Sequence, residues 1–326
     1  MEIPLKYELT PVILNLVSKI EAKKELFSTV QISSKMIVNL KRQSLLKSSL
    51  FSAKIEGNRL DISDIDQLNR ENPKLKDRIE VENILSALSY LDRSLKKNID
   101  TNLINGLHKI VMKNLTEAPG VFRREPTAIF NQAGFAVYIP PPPSQIDNLI
   151  KQLINYINSP NNENPLIKAS LSHISFEKIH PFLDGNGRVG RLLFTSIIQK
   201  NGYDFNGLFS IEEVLNERKE EYYAYLDKSD ATSFIEFLLE ILLIQIEKIF
   251  DKVYKKELNP EDLLLPRRKE ILQIIKDHKI VSLDSLKRRF NNVSPRMIRF
   301  DLKKLEEAGF IIKLGTTRGA MYSPKF

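Results

Sequence analysis

The chain has 326 residues, of which 42% are hydrophobic and 28% charged, and it has no cysteine. This composition belongs to a globular protein of two or three domains, excludes disulfides and thiolate metal sites, and fits a soluble, cytoplasmic protein. The net charge of +8 is uneven: residues 260–326 hold 15 Lys and Arg against 8 Asp and Glu, whereas the first 259 hold 34 against 33. A contact with nucleic acid or an acidic protein is therefore expected at the C-terminal end.

The opening stretch, MEIPLKYELT, lacks a basic region before an apolar core, so no signal peptide is expected. Apolar residues recur at helical spacing over 79–95, 101–112, 146–157, 166–179 and 192–200, with Asp100 and Ser144 expected as N-caps. Residues 124–143 break this pattern. Apolar and polar residues alternate around Gln132, Ala133 and Gly134, and four prolines follow. A short connecting hairpin that leaves in extended form is expected. The most apolar run, residues 234–250, is interrupted by Glu236, Glu240 and Glu247, which makes it a core helix rather than a membrane span.

A boundary lies at ELNPEDLLLPRR, residues 257–268. Three helical runs follow, at 267–277, 283–290 and 295–308, and then two strands around a glycine-containing turn. Three helices and a hairpin make a winged helix-turn-helix arrangement. Ser294 caps its last helix ahead of Pro295. Met297, Ile298, Leu302 and Leu305 form the expected buried stripe. Arg296, Arg299, Lys303 and Lys304 are left for solvent or phosphate, and Arg318 sits in the wing. This module binds DNA, or docks a protein or a second copy of the chain.

The densest stretch is HPFLDGNGRVGR, residues 180–191. Gly185, Gly187 and Gly190 satisfy G-x-G-x-x-G, but a dinucleotide turn needs a strand before it, and the residues before this one have helical spacing. No G-K-[ST] follows, so it is not a Walker A loop either. The parts of an anion site are nevertheless present. The glycines let successive N–H groups face one concavity, and a helix N-terminus follows. Arg188 and Arg191 lie about one turn apart and can share a polyphosphate. Asp184 is a hard oxygen ligand suited to phosphate-bound Mg²⁺. His180, fixed by Pro181, is suited to accepting a proton. His173, seven residues earlier on the same face, reads as a packed or hydrogen-bonded histidine.

The stretch resembles the signature of the Fic family, H-x-F-x-[DE]-G-N-G-R-x-x-R, at every specified position. The resemblance implies a mainly α fold: a helical Fic domain with a β-hairpin flap, followed by the small winged helix. It divides the chain into an N-terminal helical region (1–100), a catalytic core (101–258) and the winged helix domain (259–326). It also implies transfer of AMP from ATP, with Mg²⁺, to a Tyr, Thr or Ser hydroxyl of a target protein. The target can be the chain itself, and a homodimer would fit. By this resemblance His180 is the catalytic base, Phe182 anchors the loop and Asp184 holds the metal. Gly185, Asn186, Gly187, Arg188, Val189, Gly190 and Arg191 bind ATP. Tyr223, in EEYYAYL, matches a tyrosine lining the nucleotide site; from spacing alone it is an ordinary aromatic of an amphipathic helix. The hairpin residues Ala136, Val137, Tyr138 and Ile139 resemble a flap that docks the target by strand pairing. SAKIEGN matches the family's inhibitory motif at Ser52, Glu56 and Gly57, which implies that Glu56 pairs with Arg191 and blocks productive ATP binding. Transfer of UMP or phosphocholine, reversal of AMP transfer, and a DNA-binding regulator that only senses nucleotide remain open on the sequence.

Overall fold

A computed structural model describes residues 1–61, 75–94, 98–130, 136–160, 163–227, 230–254, 260–290, 293–315 and 320–325. The chain divides into two compact units. The first comprises Met1–Gln31 and Gln43–Tyr254; the second comprises Ile32–Arg42 and Lys255–Phe326. Among the described residues no helix is long and apolar enough to cross a membrane.

The first unit contains α1 (Pro11–Ser28), most of α2 (Ser34–Ile55), α3 (Leu75–Ser94) and α4 (Thr101–Val111). A two-stranded antiparallel hairpin, β1 (Ile129–Phe130) and β2 (Ala136–Tyr138), comes next. Then follow α5 (Pro143–Asn158), α6 (Pro165–Ile179), α7 (Asn186–Lys200), α8 (Glu212–Glu217), α9 (Lys219–Asp227) and α10 (Ala231–Tyr254). The centre is α6, which is buried from Leu166 through Phe176 and packs against α5, α7 and α10. A helix apolar on one face could not sit there. Three polar residues of α6 are satisfied locally: Ser170 and Ser172 donate to the Leu166 and Lys168 carbonyls at 2.8 and 2.7 Å, and Lys168 Nζ donates to the Ser159 carbonyl at 2.8 Å. His173, 1% exposed, pairs through Nε2 with the Tyr222 hydroxyl at 2.8 Å.

Helix starts follow their chemistry. Asp100 caps α4 by accepting from Leu103 N at 2.7 Å. Ser144 is not a cap: α5 begins one residue earlier, with Pro142 at the N-cap and Pro143 at the first helical position. A proline, lacking N–H and pre-set in φ, fits that first position better than the cap chemistry of the following serine does. The helix expected after the glycine turn, from Arg188 onward, begins two residues earlier, at Asn186.

The second unit is built on α11 (Pro266–His278), α12 (Leu283–Arg289) and α13 (Pro295–Glu307), with β3 (Val281–Ser282), β4 (Ile311–Leu314) and β5 (Met321–Pro324). The strands form one antiparallel sheet in the order β3-β5-β4, with Val281 opposite Tyr322 and Ile311 opposite Pro324. Two residues are too few to show alternation, so β3 left no mark in the sequence pattern. Ser294 caps α13, accepting from Met297 N at 3.3 Å. Ile298, Leu302 and Leu305 are buried, but Met297 is 44% exposed. At 100° per residue Met297 lies off the stripe that the other three define. Asp301 is buried instead, 2.5 Å from Arg267 Nε and 2.9 Å from Arg268 Nε.

Candidate active site

The signature stretch is a helix–loop–helix. α6 ends at Ile179, and His180 follows in the left-handed region (φ 48°, ψ 61°), its N–H donating to Phe176 O at 3.0 Å. Pro181 prevents continuation. Asn186 closes the loop with its side-chain amide. Asn186 Nδ2 donates to Phe182 O at 2.8 Å, and Asn186 Oδ1 accepts from Phe182 N at 2.9 Å. Phe182, fully buried, stacks on His108 with ring centroids 3.7 Å apart and planes 8° apart.

His108 holds the other side of the loop. Gly120 N donates to His108 Nδ1 at 2.7 Å, so Nε2 carries the proton and donates to the Asp184 carbonyl at 3.0 Å. Burial pushes the His108 pKa down, which keeps this neutral tautomer. Gly185 has φ +82° and caps α7 without any side-chain bond; a Cβ there would fall 2.8 Å from Met112 Sδ. The first N–H groups of α7 are thus left without a side-chain cap, as an anion site requires.

Both arginines are buried and paired. Arg191, 1% exposed, donates from Nη2 to Glu56 Oε1 at 2.9 Å and to Ser52 O at 2.9 Å, and from Nε to Ser52 Oγ at 3.1 Å. Ser52 lies in the last turns of α2, and Gly57, with φ +100°, follows that helix. A Cβ on Gly187 would collide with Glu56 Oε1, so that glycine admits the carboxylate. Arg188 donates from Nη1 to Glu80 Oε1 at 2.6 Å and from Nη2 to Asp184 Oδ1 at 2.7 Å. Asn58 Nδ2 donates to Glu80 Oε2 at 2.8 Å. Burial raises the Glu80 pKa, and Arg188 opposes that shift. Arg188 Nε and Arg191 Nη1 are buried without a hydrogen-bond partner. Two orphaned guanidinium donors beside an uncapped helix start fit an added anion such as a polyphosphate.

The His180 pKa lies below the ordinary histidine value. Burial is the main cause and Arg123 adds to it, whereas the Glu177 carbonyl, Glu56 and Asp184 oppose. His180 Nδ1 is buried, leaving Nε2 as the nitrogen available to a substrate. The Asp184 side chain is 67% exposed and able to take a metal through its carboxylate. Among the described residues no cluster of three or more His, Asp or Glu forms a cation site. A single carboxylate working with phosphate oxygens is how Mg²⁺ is commonly held.

The structure therefore brings Ser52 and Glu56 onto Arg191, and Asp184 onto Arg188. The Tyr223 hydroxyl donates to the Ile55 carbonyl at 3.2 Å, next to Glu56. Val189 and Gly190 face inward instead: Val189 is fully buried, and a Cβ on Gly190 would collide with Glu177 Oε1. In the flap, Ile129 pairs with Tyr138 and Phe130 with Ala136, Val137 lies in the same strand, and Ile139 is 76% exposed. The hairpin tip at Gln132, Ala133 and Gly134 and the wing residue Arg318 lie outside the described residues. Arg296, Arg299 and Lys303 are exposed on α13, within the second unit.

His108, Glu80, Asn58 and Arg123 went unnoticed in the sequence. His108 lies among the apolar positions of an amphipathic helix, and Glu80 among alternating charges. Asn58 alone carried a local signal, as the residue directly after Glu56-Gly57.

Residues 98–198 match the Fic/DOC family and residues 267–319 match the DeoR-like helix-turn-helix domain. The signature loop lies within the matched Fic domain, residues 98–198. The chain carries that domain together with a C-terminal DeoR-like helix-turn-helix domain. It is 24% identical over 234 residues to the protein adenylyltransferase Fic of Drosophila melanogaster, covering 68% of this chain and 45% of that protein. The corresponding Drosophila mojavensis protein gives 24% over 236 residues, at 68% and 45% coverage. The chain thus spans less than half the length of these relatives. Its fold resembles the crystal structure of a Fic family protein from Desulfovibrio desulfuricans G20, with a TM-score of 0.70, 23% identity and 98% of each chain covered. It also resembles a Fic domain containing signaling protein from Bacteroides thetaiotaomicron, with a TM-score of 0.62 and 20% identity, covering 74% and 96% of the two chains.

His108→Phe keeps the ring stack but leaves Gly120 N–H and the Asp184 carbonyl unpaired. A loss of about 1–3 kcal/mol is expected, read as a fall in melting temperature by circular dichroism.

Proposed function

We propose that this chain is a protein adenylyltransferase that moves AMP from ATP onto a Tyr, Thr or Ser hydroxyl of a target protein, and that Glu56 holds it inactive. The observation that carries this reading is the Glu56–Arg191 pair inside a complete signature whose histidine is half-buried, with its pKa lowered. In this reading residues 1–100 carry the brake, 101–258 the catalytic core and 259–326 a recognition module.

His180 Nε2 accepts the proton of the target hydroxyl. The hydroxyl oxygen forms a bond to the α-phosphorus while the bond to the leaving pyrophosphate breaks. Attack at phosphorus needs mainly alignment and charge neutralisation. Arg188 and Arg191 supply donors to the phosphates, the α7 N-terminus adds backbone N–H groups, and Tyr223 borders the nucleotide. Asp184 would hold Mg²⁺, which neutralises phosphate charge when bound. While Glu56 occupies Arg191, a phosphate contact is missing and a like charge stands near the site.

A second reading, a DNA-binding regulator that senses nucleotide, is favoured by the basic C-terminal segment and the exposed Arg296, Arg299 and Lys303. The intact base and metal ligand favour the transferase, because a sensor needs neither. Labelled ATP, UTP and CDP-choline offered in parallel identify the donor.

Glu56→Gly is expected to raise self-modification at least about tenfold, equivalent to ~1.4 kcal/mol of recovered transition-state contact. Unchanged incorporation by the folded variant would overturn the brake. His180→Ala should abolish transfer while nucleotide binding survives in calorimetry. Because the His180 pKa is lowered, its neutral form persists to lower pH than that of a free histidine, so the acid limb of the rate profile should fall below pH ~6.5. On a DNA duplex, Arg299→Ala should weaken binding and reduce the salt slope by about 1; affinity insensitive to salt would remove phosphate contacts from the second unit.

A further inference from the structure

Arg123 is 3% exposed, yet its hydrogen bonds go to main-chain carbonyls from three separate segments. Nε donates to His180 O at 2.8 Å, Nη1 to Glu125 O at 3.1 Å and Nη2 to Pro141 O at 2.5 Å. Its backbone N–H donates to Pro181 O at 2.9 Å. His180 and Pro181 form the turn after α6, Glu125 leads into the flap, and Pro141 lies where the flap ends. A planar fork with several fixed donors satisfies carbonyls in different directions at once while holding them in a fixed geometry.

Both tied segments need outside support. The last carbonyls of a helix have no intrahelical partner. A non-glycine residue in the left-handed region, such as His180, is held there only when its surroundings fix it. A two-stranded hairpin is marginal without packing. A second bond joins the same elements: the Tyr138 hydroxyl in β2 donates to the Lys178 carbonyl in the last turn of α6 at 2.9 Å. The flap is thus fastened at two points to the helix end that carries His180.

We propose that Arg123 is a positioning residue that couples the flap to His180, so that docking of a target polypeptide along β2 and alignment of the imidazole are one event. This rests on the reading of His180 as the base and of the flap as the docking strand. Arg188 and Arg191, which serve the nucleotide, are held by a different set of contacts, so the phosphate side of the site should not feel the loss of Arg123.

The test compares Arg123→Met and Arg123→Lys in the full chain carrying Glu56→Gly. Hydrogen–deuterium exchange is followed over 136–142 and 180–184, with 231–254 as reference. In Arg123→Met, both segments are expected to exchange at least about tenfold faster, and the reference helix not at all. The kcat for AMP incorporation into the chain itself should fall about 100-fold, while KM for ATP stays within about twofold, the split that marks an aligning rather than a binding role. Arg123→Lys, with its charge but without the fork, should recover only part of either effect, and it takes over the exchange measurement where Arg123→Met fails to fold. Acceleration of one segment alone, of neither, or a rise in KM for ATP with kcat unchanged would overturn the coupling. Should the Glu56→Gly parent transfer no AMP, the adenylyltransferase reading falls, and exchange alone decides whether flap and turn are coupled.

Discussion

A guanidinium with 1% exposure cannot be left without partners, and Arg191 is such a group. Removing one partner of a buried charge costs about 3–5 kcal/mol, because water cannot reach in to replace it. Much of the site is arranged around this constraint. The end of α2 delivers the Ser52 hydroxyl and carbonyl, the turn beyond it delivers Glu56, and Gly187 lacks the side chain that would block the carboxylate. Any anion that takes the place of Glu56 must bring comparable charge to the same buried donors, which a triphosphate can do and a neutral metabolite cannot.

Two kinds of fastening divide the site. From Phe182 to Asn186 the loop is held by neutral groups: the Asn186 amide against the Phe182 backbone, the Phe182 ring on His108, and His108 against the Asp184 carbonyl. The arginines are held by carboxylates, Glu56 on one and Glu80 with Asp184 on the other. Neutral fastenings respond little to an arriving polyanion, whereas carboxylates are repelled by it. The backbone frame can therefore stay fixed while the charged lining rearranges, which is the preorganisation that phosphoryl chemistry uses.

The mainly helical fold, the winged-helix module and the signature were legible because each is carried by local spacing. Twelve consecutive residues hold the histidine proposed as base, the aspartate proposed as metal ligand and both arginines. Glu80 and Arg123 were not legible, because they act on residues 108 and 57 positions away. At that separation a charged residue looks like any solvated one. Local rules also failed where a neighbour had the stronger claim: Pro143 took the helix start from Ser144, and Asp301, paired with two arginines, is buried where Met297 was expected. The buried polar face of α6 is a milder case, since Ser170 and Ser172 satisfy themselves against their own helix and need no partner that sequence could reveal.

The second unit is not one continuous piece of chain. It takes residues 32–42 from near the start and everything from 255 onward. Met36 is buried in it, and Asn39 donates its side-chain amide to the Leu264 carbonyl. During synthesis Asn39 emerges long before the Leu264 carbonyl that it meets, and domains generally fold as units as the chain appears. The Asn39 amide therefore has no Leu264 carbonyl to meet until 225 more residues have been made.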